Sequence, residues 1–146
     1  MRSLVAACLA AVLLTGCAQK SAFEDLTDGD CTNQQAKLVE AHVSGQIDAI
    51  AKKEWKSAYS FASPKFKASV EINQFISVIR ISYGMLIENQ GYKFNKCSIA
   101  NKQITQEVGV KSGGETIDLT YTLSVTKLNL GVESAVFNSS IARLDA

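Results

Sequence analysis

Hydrophobic and polar positions divide the chain into four stretches of different texture. Residues 4–14 are uninterrupted by any charged or strongly polar side chain. Residues 18–30 show no sustained apolar periodicity and hold Glu24, Asp25, Asp28 and Asp30. From Thr32 to Tyr83 apolar residues recur at helical spacing, and from Gln90 onward they fall into short alternating runs. Spacing of three to four marks one face of a helix, and spacing of two marks one face of a strand.

The helical half divides into four pieces. Val39, Val43, Ile47 and Ile50 make one apolar stripe. Thr32 with Gln35 three positions later has the form of a capping box, so a helix is predicted to start there. Gly45 inside it costs about 1 kcal/mol relative to Ala, or lets another element pack closely. Lys52-Lys53 suits the last turn through the helix dipole. Trp55, Ala58, Tyr59 and Ala62 predict a short helix over 54–62. Ser63-Pro64 breaks it and starts another, with Ser63 as N-cap, Pro64 at the first position and Phe66 in the turn. A further helix is predicted over 72–83, with Phe75, Ile76, Ile79 and Tyr83 on its apolar side and Gly84 ending it.

The alternating half predicts strands over 90–100, 102–111, 116–126 and 132–142. Ser112-Gly113-Gly114-Glu115 is a hairpin signal, because glycine tolerates the positive φ of tight turns. Residues 129–131 predict another turn. In the cleanest strand Ile117, Leu119, Tyr121, Leu123 and Val125 face one way, and Thr116, Asp118, Thr120, Thr122, Ser124 and Thr126 face the other. In the last strand Ala135, Phe137 and Ile141 point inward. Helices first and an antiparallel meander afterwards define an α+β fold, here N-terminal helices on a curved four-stranded sheet.

The amino-terminal run reads as an address. Arg2 supplies the positive n-region and residues 4–14 the apolar h-region. Eleven residues rise only about 16 Å as a helix, half a bilayer core. Leu14-Thr15-Gly16-Cys17 follows at once and resembles the bacterial lipobox, which implies cleavage before Cys17 and acylation of its thiol. An ordinary secretory signal, with Cys17 incidental, is the alternative. The expected organisation is a signal peptide over 1–16, an acidic tether over 17–31 and an α+β domain over 32–146. The thirteen residues of 18–30 would span roughly 20 Å as a coil, unless Phe23 and Leu26 dock on the domain. The expected location is the extracytoplasmic side of a bacterial envelope, held to the bilayer by acylated Cys17. Ala18 is not Asp, so outer-membrane sorting would be allowed in a cell with two membranes.

Charge and composition narrow the rest. The 146 residues carry 15 Lys plus Arg against 14 Asp plus Glu. So even a balance argues against nucleic-acid binding, which rests on clustered positive charge. Once the signal with Cys8 is removed and Cys17 is acylated, Cys31 and Cys97 remain in the mature domain. In an oxidising compartment an even pair joins, and the bond would staple the first helix to the first predicted strand. Two free thiols are the alternative; without a Cys-x-x-Cys motif, redox catalysis has no support.

The run Ile47-Asp48-Ala49-Ile50, then Trp55-Lys56-Ser57-Ala58-Tyr59-Ser60-Phe61-Ala62-Ser63-Pro64, Phe75 and Tyr83, resembles an uncharacterised bacterial domain family. That family is similar to the nuclear-transport-factor-2-like superfamily, which implies a cystatin-like cone of helices in the mouth of a curved sheet. The resemblance spans about residues 34–142. The final Ile141-Ala142-Arg143-Leu144 departs from it, lacking the usual Trp-x-Ile lead-in.

Enzymes of that superfamily place an acid or a histidine inside the cone. Here His42 is the only histidine and lies beside the apolar stripe, which suits a structural ring. Asp48 falls on the polar flank as a solvated or capping carboxylate. Glu107 and Asp118 point outward by alternation. No metal ligand set, cofactor motif or catalytic residue is assigned. Trp55, Tyr59, Tyr83 and Tyr121 are candidates for a pocket wall, with core packing as their alternative. The readings that follow are a non-enzymatic module binding a small ligand or an envelope protein, an assembly homodimer formed through the sheet, and a small cone-pocket enzyme.

Overall fold

The computed structural model of the chain describes residues 20–138. In order it contains β1 (Gly29–Asp30), α1 (Asn33–Ala51), α2 (Trp55–Ser60), α3 (Pro64–Ser69), α4 (Ile72–Ser82), α5 (Gly84–Ile87), β2 (Tyr92–Ala100), β3 (Gln103–Ser112), β4 (Glu115–Thr126) and β5 (Asn129–Phe137). The strands form one antiparallel sheet in the order β1-β2-β3-β4-β5. The helices pack against it, so the architecture is α+β with five strands rather than four.

α1 forms as its sequence dictates. The Gln35 backbone N–H donates to Thr32 Oγ1 (3.2 Å), and the Thr32 N–H donates to Gln35 Oε1 (2.9 Å). Val39, Val43, Ile47 and Ile50 are all buried. The helix stops at Ala51; Lys52 caps it and Lys53 turns left-handed at φ 59°. Both lysines thus lie past the last turn in which they were expected. Ser63 caps α3 by accepting from the Phe66 N–H (3.0 Å), with Pro64 in the first turn. Gly84 begins α5 instead of ending a helix. Tyr83, at φ −124°, makes the bend between α4 and α5, and the turn buries Leu86.

Three tight turns build the meander. Asn101-Lys102, Gly113-Gly114 and Lys127-Leu128 each place two consecutive residues at positive φ, which matches the right-handed twist of the flanking strands. The turn expected at 129–131 is therefore at Lys127-Leu128, and β5 starts three residues early. Its predicted residue Ile141 lies outside the described residues. Leu119, Tyr121 and Leu123 of β4 are buried, together with Ile104, Val108 and Val110 of β3. These six residues face the α1 stripe and make the core.

The segment expected to float as a tether is docked over its described part. Phe23 is only 7% exposed and belongs to the core, with Leu26 packed partly buried beside it. The Gln35 amide donates to the carbonyls of Ala22 (2.9 Å) and Asp25 (3.2 Å). Gly29 and Asp30 pair with Ile99 and Ser98, which supplies the fifth strand. Cys31 and Cys97 are disulfide-bonded, with Cα atoms 5.4 Å apart. One further tie joins the layers: Ser63 N–H donates to Val132 O and Val132 N–H to Phe61 O, each at 2.9 Å.

Candidate functional site

An apolar cavity of about 270 Å³ opens between α4 and β5. Phe75, Val78 and Ile79 of α4 form one wall, and residues 132–136 of β5 form the other. Ile50 and Gln46 from the end of α1, Phe66, Leu86, Tyr83 and Tyr121 complete the lining. The local sequence explains the gap. The Ala62–Val132 bridge holds β5 to the helical layer at one end. Opposite Leu123 the pairing of β4 and β5 shifts register, with Glu133 as the extra residue, and such a bulge bends a strand. Beyond it, β5 and α4 flank open space.

Few polar groups reach this space. The Tyr83 hydroxyl donates to the Ala135 carbonyl, and its ring stacks on Phe137 with centroids 5.1 Å apart. Glu133 accepts from the Ser124 hydroxyl (2.7 Å). One N–H of Gln46 donates to Ala58 O (3.2 Å). Tyr121 is 1% exposed, and burial pushes its phenol well above the ordinary tyrosine value. No lysine, arginine or histidine lines the cavity among the described residues. The mouth is apolar, with Val78 and Val136 partly exposed and Phe137 beside them.

Of the four pocket candidates, the fold brings together two. Tyr83 and Tyr121 line the cavity. Trp55 lies in a separate shallow groove with Ile72, Asn73 and Ile76, where the Arg80 guanidinium sits 5.2 Å from its ring centroid. Tyr59 donates its hydroxyl to Val70 O (2.7 Å) and packs on Phe75 with centroids 5.6 Å apart. The two that diverge both stand on α2, and neither lines the cavity. Gln46, Val78 and residues 132–136 were not anticipated. Gln46 carried the one readable signal, a polar side chain next to the buried Ile47.

His42 and Asp48 have local tasks. His42 is half-buried; its Nε2–H donates to Phe61 O (2.9 Å), and its ring meets Phe61 edge-on at 5.1 Å. Burial pulls its pKa below the ordinary histidine value, the bond to Phe61 opposes this, and Lys67 adds to the lowering. Asp48 is exposed, as a solvated carboxylate should be, and it also accepts from the Tyr92 hydroxyl (2.6 Å). Burial first, and that bond second, push Tyr92 up to about 12. Glu107 and Asp118 are exposed, as alternation requires. Among the described residues no three acids, histidines or cysteines group as a metal site. None of their helices is long and apolar enough to cross a membrane. Cys17 lies outside the described residues.

A family model described as Domain of unknown function (DUF4864) matches residues 32–130, more than half of the 146 residues. No curated protein and no solved structure gives a significant match. The chain belongs to the DUF4864 family.

Proposed function

We propose that this member of the DUF4864 family is an exported bacterial envelope lipoprotein, anchored through acylated Cys17, whose globular part binds a small ligand without transforming it. The observation that carries the binding half is the apolar cavity of about 270 Å³ between α4 and β5. Among the described residues its one carboxylate, Glu133, is engaged by Ser124, and no histidine lines it. The lining therefore suits retention more than proton transfer. The anchoring half is supported by Leu14-Thr15-Gly16-Cys17 after an apolar run, and the Cys31–Cys97 disulfide is compatible with an extracytoplasmic location. We place the fold near the nuclear-transport-factor-2-like superfamily, on helices packed over one face of an antiparallel sheet.

Two measurements test this. Mass analysis of the mature amino terminus should show a diacylglyceryl-type modification on Cys17, and Cys17→Ser should release the protein from membranes; an unmodified start removes the anchor. Native mass spectrometry of the purified protein should show a bound small molecule that Ala135→Phe, which fills the cavity, displaces. An identical spectrum for both proteins argues against ligand binding. A second reading, docking of an envelope protein or of a second copy, is favoured by exposed apolar side chains at the cavity mouth: Val136 is 52% exposed and Val78 43%. Light scattering on the unlipidated protein separates the homodimer from the monomer.

A further inference from the structure

The polar groups of the cavity differ in what they leave free. Tyr83 gives its hydroxyl hydrogen to Ala135, and Glu133 is held by Ser124. Tyr121 is different. It is 1% exposed, it lines the cavity, and its hydroxyl has no protein acceptor among the side-chain hydrogen bonds of the described residues. Among the described residues the Tyr121 hydroxyl is not one of the fully buried, unpartnered polar atoms, so it is open to the cavity, and in so apolar a lining a group that accepts its hydrogen bond gains more than in water. Burial holds this phenol protonated at any physiological pH, which makes it a neutral donor and never a counter-ion to a cation.

Charge works by exclusion. No lysine, arginine or histidine among the described residues lines the space. A carboxylate or phosphate placed in it would give up hydration with no cation to replace the water. Size sets the last limit. A dry cavity of about 150 Å³ accommodates benzene and drug-sized pockets start near 300 Å³. A space of about 270 Å³ therefore suits a body of about ten to a dozen heavy atoms.

We infer that the cavity takes a small uncharged, mainly hydrocarbon molecule bearing one carbonyl-type acceptor, which receives the Tyr121 hydroxyl. The inference rests on the reading of this cavity as a binding site and adds the class of molecule. Its carbonyl points to Tyr121 and its hydrocarbon lies against Phe75, Ile79 and Val132.

Three probes of nearly equal size test it on the mature chain carrying Cys17→Ser, which keeps the globular part whole and lacks acyl chains: 4-phenyl-2-butanone, butylbenzene and 3-phenylpropanoate. Dissociation constants come from NMR titration. The ketone should bind about fivefold more tightly than butylbenzene, the increment of one neutral hydrogen bond. It should bind more than about tenfold more tightly than the carboxylate, which carries an unpaired charge. Tyr121→Phe should remove the ketone's advantage over butylbenzene while leaving butylbenzene binding in place. Tighter binding of 3-phenylpropanoate, or a ketone advantage that survives Tyr121→Phe, overturns the inferred class and leaves the cavity as a binding site. If none of the three binds, the cavity reading falls with it.

Discussion

Gly131 sits where no other residue fits. A Cβ there would lie 2.5 Å from Ser63 Cα, and that atom is backbone, held by the paired hydrogen bonds between Ser63, Phe61 and Val132. Gly131→Ala should therefore destabilise the fold by about 2–3 kcal/mol, read as a lower urea midpoint. At Gly45 a Cβ would lie 2.6 Å from the Phe61 ring, so the close-packing alternative for this helical glycine is the one the fold adopts. His42 gives a pH signature. Its pKa is depressed in the folded state from 6.5, so the neutral ring contributes stability that is fully present above pH 6.5 and is lost as pH falls through the folded value. Urea midpoints should decline on acidification below pH 6.5, before the carboxylates titrate, and His42→Gln should flatten that decline. The structural place of His42 was readable from its position beside an apolar stripe. The bond between Asp48 and Tyr92 was not, since 44 residues separate the pair and nothing local links them.

Elements were legible where a period and a stop signal agreed. The stripe of α1 and its Thr32–Gln35 cap, the Ser63-Pro64 break, and the alternation of β4 all stand in the fold as the residues imply. They failed where the signal was a residue type without its geometry. Gly84 looks like a helix terminator, yet Tyr83 makes the bend and no left-handed residue is needed. Lys127-Leu128 forms a left-handed pair that carries no glycine, so the turn was sought at Asn129. β1 has two residues, too few to alternate. The Cys31–Cys97 bond fastens the end of β1 to β2 and spans 66 positions. Opening it with the double variant Cys31→Ser, Cys97→Ser should lower stability by about 4 kcal/mol in the chain-entropy picture. Chemical denaturation of the oxidised and the doubly substituted proteins measures this directly.

For the whole molecule, the boundary of the domain lies earlier than the family match suggests. The match begins at residue 32, but Phe23 is part of the core and Gln35 holds the carbonyls of Ala22 and Asp25. A chain beginning at Thr32 loses one buried aromatic, one strand and the disulfide. It should be less stable than one beginning at Lys20 by more than the disulfide alone, about 3 kcal/mol further for the phenylalanine, as thermal unfolding of the two would show. The sequence left this open as the alternative to a free tether, because a single aromatic in an acidic stretch has no period to decide it. The fold class was legible because the helical and alternating halves are cleanly separated in sequence. The cavity was not, because its walls come from α4 and β5, which are far apart in sequence and meet only in the folded chain.

The docked segment also changes how the molecule would stand on a bilayer. Under the proposed acylation of Cys17, only three peptide steps would lead to Lys20, at most about 11 Å, instead of the 20 Å coil of a long linker. So short a mooring would fix which end of the globule meets the lipid headgroups and keep it from tumbling freely above them. Whatever meets the mouth between α4 and β5 would then approach from a restricted direction, at a nearly constant height over the membrane.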